Sequence, residues 1–302
     1  MKKTISIIIT TILLFSFAFF EQLIHFERSE VFAEGESADL SMVLSRSVLN
    51  QGKTFSVTVY FNPNINVSIT TFDLVMTYDS SKVSPVESGG VLKVEKTTKI
   101  PASFKISSVV DGNEIIVLGE DDSDLLNKPI AASGNTPVIV VYFKVKDNAT
   151  VGTQAAFTIR TEMTAFNMIS GGEPVPVALG ETPSKSAAIG PKLDTNTYLS
   201  SIVPGIGTLE PAFSKTVTEY RLEVPDDRGS IDFTAAAESA KSSVRITGGT
   251  SLNFGANPVT IRVTAEDTDF VRTYTIIVNR ADLPTPTPDD PTPTEEISDE
   301  SS

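Results

Sequence analysis

Cysteine and tryptophan are absent from this 302-residue chain, and its one histidine, His25, falls in an N-terminal segment that reads as a removable leader. Without that leader the chain has neither thiol nor imidazole. Thiol nucleophiles, Ser-His triads, His general bases and the usual zinc sites are thereby excluded, because each needs a group titrating near neutrality or a soft ligand. Carboxylates are the main catalytic groups left. Bases are scarce too: 24 Lys plus Arg face 38 Asp plus Glu, for a net charge of −14. Nucleic-acid affinity comes largely from clustered Lys and Arg neutralising phosphates, so no nucleic acid is expected as a partner. No segment sustains an apolar stripe of period 3.6, which argues against helical architecture. With 40 % hydrophobic residues the chain can still bury real cores, and its length suggests two domains of roughly 100 to 150 residues.

The one long apolar run, Ile5 to Phe20, follows Lys2 and Lys3. A charged start and an apolar middle are what a translocation machine reads, and Val31 and Ala33 set small residues where a signal peptidase cuts. Residues 1–33 are therefore expected to be a signal peptide, with the mature chain starting at Glu34. The other reading is a retained anchor, since sixteen residues approach the roughly 17 needed to span a bilayer. Either way the rest of the chain is extracellular or at the cell surface, and membrane contact arises only through an uncleaved leader. The lack of Cys fits exported domains held by packed cores rather than by disulfides.

From Leu40 to Ala188 the pattern has period two. Phe55, Val57, Val59 and Phe61 alternate with Ser56, Thr58 and Tyr60, and Phe72, Leu74, Met76 and Tyr78 repeat the alternation. Val138 to Val145 is apolar on both faces and suggests a central strand covered on each side. Further strands are expected at 104–109, 114–118, 154–160 and 173–179, separated by turn signals such as Asp111-Gly112-Asn113, Ser133-Gly134-Asn135 and Ser170-Gly171-Gly172. After Gly190-Pro191 a second all-β block follows, with strands expected near 220–224, 231–235, 244–246, 259–265 and 274–278. The final stretch, 281–302, holds Pro284, Pro286, Pro288, Pro291 and Pro293, many acids and no base, and reads as a disordered spacer without a sortase signal. The fold class is all-β.

Several fragments occur in a suggestive order: Gln51-Gly52-Lys53-Thr54-Phe55-Ser56-Val57, Ile69-Thr70-Thr71-Phe72-Asp73-Leu74, Ile116-Val117-Leu118-Gly119-Glu120-Asp121 and Val141-Tyr142-Phe143-Lys144-Val145. Residues 38–190 resemble a cohesin domain. The resemblance implies a jelly-roll β-sandwich with one flat face that binds a dockerin-containing protein, in a cellulosome-like or cell-surface assembly. It also departs from scaffold cohesins: Thr71 stands where Asn is common, and Thr136-Pro137 replaces a Gly, a change expected to alter only an edge. Residues 197–280 resemble the bacterial cadherin-like β-sandwich. Leu209-Glu210-Pro211-Ala212-Phe213-Ser214, Leu252-Asn253-Phe254-Gly255-Ala256-Asn257-Pro258 and Tyr274-Thr275-Ile276-Ile277-Val278-Asn279-Arg280 carry that likeness. It implies a smaller spacer or binding module.

If Phe72 and Leu74 point inward, Thr71, Asp73, Val75 and Thr77 face outward, where a partner could touch them. Thr71, Asp73 and Glu120 are the candidate partner-binding residues; the bland reading is a solvated strand face. Glu120, Asp121, Asp122 and Asp124 could offer oxygens to calcium, but neither they nor Asp194-Thr195-Asn196 match the D-x-[DN]-x-[DN]-G loop, so a hydrated charge run is expected. No metal and no cofactor are implied. A glycosidase would need two acids flanking a sugar cleft, and nothing marks such a pair, so no enzyme is expected. The alternative function is a carbohydrate-binding or structural surface module attached to a polysaccharide. Its sugar-stacking version is weakened by the absence of Trp, with most Tyr and Phe on inward positions.

Overall fold

Alternating side chains can bury one face of a strand only against a second sheet, and two such sheets account for the first half of the chain. The structure, a computed structural model, describes residues 36–122, 128–170 and 173–283. The expected leader (1–33), Asp124, the Gly171-Gly172 turn and the tail beyond Leu283 lie outside the described residues. The chain divides after Lys192 into two units. No helix among the described residues is long and apolar enough to cross a membrane.

The first unit has seventeen strands among its described residues: β1 (Ser37–Leu44), β2 (Val48–Asn50), β3 (Thr54–Pro63), β4 (Val67–Tyr78), β5 (Val83–Pro85), β6 (Glu87–Ser88), β7 (Val91–Leu92), β8 (Val94–Lys96), β9 (Phe104–Asp111), β10 (Glu114–Asp121), β11 (Ile130–Ala132), β12 (Thr136–Val145), β13 (Gln154–Ile159), β14 (Ala165–Ser170), β15 (Glu173–Pro176), β16 (Ala178–Leu179) and β17 (Ser184–Gly190). One sheet runs β16-β1-β3-β12-β5, with β8 also on β12. The other runs β15-β14-β4-β13-β17-β2; β10 and β11 also pair with β4, and β9 pairs with β10. This is a jelly-roll sandwich. Two aromatic groups bolt the sheets together. Phe61 from the first sheet stacks on Phe166 at 4.5 Å, and Phe166 on Phe72 at 5.3 Å. Phe143 meets Phe157 at 5.2 Å and Tyr78 at 5.5 Å. Each such pair adds about 0.5–1.5 kcal/mol to the burial of its rings.

Two expectations about β12 need correction. It is a central strand, but only its inward face is fully covered: Val140 and Tyr142 are half-buried and Lys144 is exposed, because the sheet is one layer of two and its outer side has no third layer. Thr136-Pro137 is not at an edge. Pro137 sits opposite Tyr60 in this interior strand, and lacking an N–H it interrupts the ladder with a register shift between Pro137 and Ile139.

The second unit is a smaller sandwich of β18 (Leu199–Pro204), β19 (Glu219–Val224), β20 (Phe233–Ala237), β21 (Ser243–Thr247), β22 (Gly255–Thr264) and β23 (Val271–Arg280). β18 pairs with β20, and the other sheet runs β19-β23-β22-β21, with β19 and β23 parallel. Two buried tyrosines tie the 214–217 loop to the core: Tyr220 Oη lies 2.7 Å from the Ser214 carbonyl and Tyr274 Oη donates to the Lys215 carbonyl at 2.8 Å.

Candidate functional site

The outward face of β4 is set by what its inward face must do. Phe72, Leu74 and Met76 are fully buried, and the ring of Phe72 lies so close to β10 that a side chain at Gly119 would meet it at 2.2 Å. Glycine at 119 is thus needed for space, and its neighbours Leu118 and Glu120 are turned outward. The register fixes the rest. Thr71 lies directly opposite Glu120, and Asp73 opposite Leu118. On the other flank Thr71 faces Asn167 and Asp73 faces Ala165 of β14. Facing residues on adjacent strands have Cβ atoms about 5 Å apart and same-face neighbours along a strand about 7 Å apart, so Thr71, Asp73 and Glu120 form one group.

Asn167 Nδ2 donates to Thr71 Oγ1 at 3.0 Å, which fixes the hydroxyl's position. Leu118, 42 % exposed, gives the centre of the group an apolar patch. Lys105 of β9 faces Glu120 in the ladder and pairs with Asp122 at 2.5 Å; that carboxylate raises the Lys105 ammonium's pKa. At the far end of the face Arg160 bridges Glu114 (2.6 Å) and Glu162 (2.8 Å), and the guanidinium holds the Glu162 carboxyl below its ordinary pKa.

Val75 shares the parity of Asp73 but is wholly buried, and Ile116 opposite it is largely so. The segment from Arg160 to Thr164 brackets Val75: its N–H donates to Thr164 Oγ1 at 3.1 Å and its carbonyl accepts from the Arg160 N–H at 2.9 Å. A partner can therefore reach Thr71 and Asp73 but not Val75. The acidic run also differs from its expected state. Asp121 is buried, not hydrated, because it falls on the inward parity of β10, and its carboxylate accepts the Lys128 N–H at 2.8 Å. Among the described residues no group of three or more acidic, His or Cys side chains could hold a metal ion.

Leu118 and Asn167 escaped the sequence reading. Leu118 had a signal, since it shares the parity of Glu120; Asn167 had none, because its contact with Thr71 spans 96 residues. Two open grooves, of about 620 Å³ and about 350 Å³, are lined by other residues. An outward sheet face that groups hydroxyl, carboxylate and apolar side chains suits contact with another macromolecule.

Comparison with known proteins places two families on the chain. The family model of the cohesin domain matches residues 24–167, and that of the cadherin-like beta sandwich domain matches residues 195–281. The first sandwich continues beyond the matched residues through β17. Among solved structures, the sixth cohesin of scaffoldin B from Acetivibrio cellulolyticus, in complex with a mutant Cel5 dockerin, is 18 % identical. That match covers 52 % of this chain and 99 % of that chain, with a TM-score of 0.39. A type I cohesin–dockerin complex from Clostridium thermocellum is 18 % identical over 55 % of this chain and 99 % of that chain, also with a TM-score of 0.39. The solution structure of a cohesin from Clostridium acetobutylicum is 16 % identical over 51 % of this chain and 92 % of that chain, with a TM-score of 0.37. No curated protein matches the chain.

Proposed function

We propose that this chain, which carries a cohesin domain followed by a cadherin-like β-sandwich domain, is an exported, non-catalytic scaffold protein whose first sandwich docks a dockerin-bearing partner. Domains of both kinds are binding modules rather than catalysts. The observation that carries the reading is the grouping of Thr71, Asp73, Glu120 and Leu118 on one solvent-facing side of the cohesin sandwich. An exposed leucine ringed by polar hydrogen-bonding groups has the anatomy of a protein interface: an apolar centre excludes water while the rim sets register. The absence of Cys, of any His besides His25 in the expected leader, and of a marked carboxylate pair supports a non-catalytic role. The Lys2-Lys3 start and the apolar run to Phe20 support export.

The test is titration of the chain, by calorimetry, against dockerins encoded in the same genome, beside a glycan array. Asp73→Ala should weaken the complex at least tenfold, which corresponds to about 1.4 kcal/mol. Unchanged affinity in that variant would move the interface elsewhere. Glycan binding with no dockerin bound would instead favour a carbohydrate-binding surface module.

A further inference from the structure

On the second sandwich, two arginines face each other. Arg245 of β21 lies directly opposite Arg262 of β22, and both are exposed. Like charges at facing positions repel and destabilise a sheet, with Cβ atoms about 5 Å apart. Among the described residues neither guanidinium has an ion pair or a hydrogen bond. One charge on β21 would suffice to protect an edge strand from pairing with another chain. A second, on the interior strand β22, adds nothing to that protection.

The surroundings are as uniform as the pair is unusual. Across β21, β22 and β23 the flanking row on one side is Ser243, Thr264 and Val271, and on the other Thr247, Thr260 and Thr275; Thr273 completes the arginine row. Side-chain parity puts all of these on the outer face. Six hydroxyls thus ring two unpaired guanidiniums, with no carboxylate among these nine positions; the first carboxylate on this face, Glu219 of β19, stands beyond the row, opposite Thr275. Val271, 39 % exposed, adds an apolar corner. In a chain of net charge −14 such a cationic spot is a local exception.

We propose that this face binds a carboxylate-bearing polysaccharide, a polyuronate. Each guanidinium forms a planar fork that takes a carboxylate through two parallel hydrogen bonds. The serine and threonine hydroxyls match sugar hydroxyls as donor and acceptor alike. A row running across three adjacent strands suits an extended chain rather than a compact anion. Bound carboxylates also remove the repulsion that the free protein carries at Arg245 and Arg262. This site belongs to the cadherin-like domain and stands apart from the dockerin reading of the first sandwich.

Affinity electrophoresis of the full chain through gels containing polygalacturonate, neutral xylan or polyphosphate tests the proposal, with calorimetry on galacturonate oligomers at pH 7. Retention by polygalacturonate and not by xylan or polyphosphate is expected. Arg245→Gln and Arg262→Gln should each weaken binding at least tenfold while leaving the melting temperature unchanged or raised. Absence of retention, equal retention by polyphosphate, or binding that survives both substitutions would overturn the proposal. So would a melting temperature that falls with the binding, since the arginines would then be structural.

Discussion

At the scale of single residues, the candidate face depends on side chains that never reach it. Gly119 is the clearest case. Its backbone needs no left-handed conformation; what it supplies is empty space for the Phe72 ring, itself held between Phe104 at 6.1 Å and Phe166 at 5.3 Å. A methyl group there cannot be absorbed by an easy ring rotation. Gly119→Ala should therefore destabilise the first sandwich by about 1–3 kcal/mol, the usual cost of overpacking, measured by urea denaturation. Wild-type stability in that variant would mean that Phe72 repacks freely. The sequence displayed Gly119 between Leu118 and Glu120, two residues of like parity of which only Glu120 was singled out. It did not display the reason for the glycine, because Phe72 lies 47 positions away in the chain. Asp121 failed for a related reason: composition groups it with its acidic neighbours, whereas parity turns it inward to the Lys128 N–H.

At the scale of elements, periodicity served best where one face is buried and the other open, as in β3 and β4. It did worst where neighbouring segments alter exposure without altering parity, as the Arg160–Thr164 bracket does at Val75. The strand β18 was not expected from alternation, since its buried residues, Leu199 and Ile202, are three apart. Turns follow their own chemistry. After β4 the chain reverses through Asp79, whose carbonyl accepts the N–H groups of Lys82 and Val83 and whose carboxylate accepts the Ser81 N–H at 3.1 Å and pairs with the Lys82 ammonium. These bonds, that to Lys82 foremost, hold the Asp79 carboxyl below its ordinary pKa. A depressed pKa in the folded state means that the stabilisation is present above the unfolded value, about 4, and is lost as pH falls through the folded one. Asp79→Asn should cost about 1 kcal/mol at pH 7 and little at pH 2, so that the two denaturation midpoints converge in acid. A difference independent of pH would show that the carboxylate's charge is irrelevant to the turn.

At the scale of the whole molecule, the chain has no disulfide and relies on two separate cores, one centred on Phe55, Phe143 and Phe157 and the other on Tyr220, Tyr274 and Ile276. Domains with packed cores of this kind do not need the crosslinks on which small Cys-rich secreted folds depend. Its two proposed contact faces are unlike: the first offers carboxylate, hydroxyl and leucine, the second paired guanidiniums among hydroxyls. Both proposed contacts, with a dockerin-bearing partner and with a polyuronate, presuppose that the chain is exported. Cleavage after Ala33 would leave Glu34 as the first residue, three before β1 begins at Ser37, and would spare every strand of the sandwich. N-terminal sequencing of the secreted protein should accordingly read Glu34-Gly35-Glu36. An intact leader on a membrane-bound product would make the apolar run an anchor while keeping both faces outside. A full-length product confined to the cytosol would put both faces where neither ligand is found.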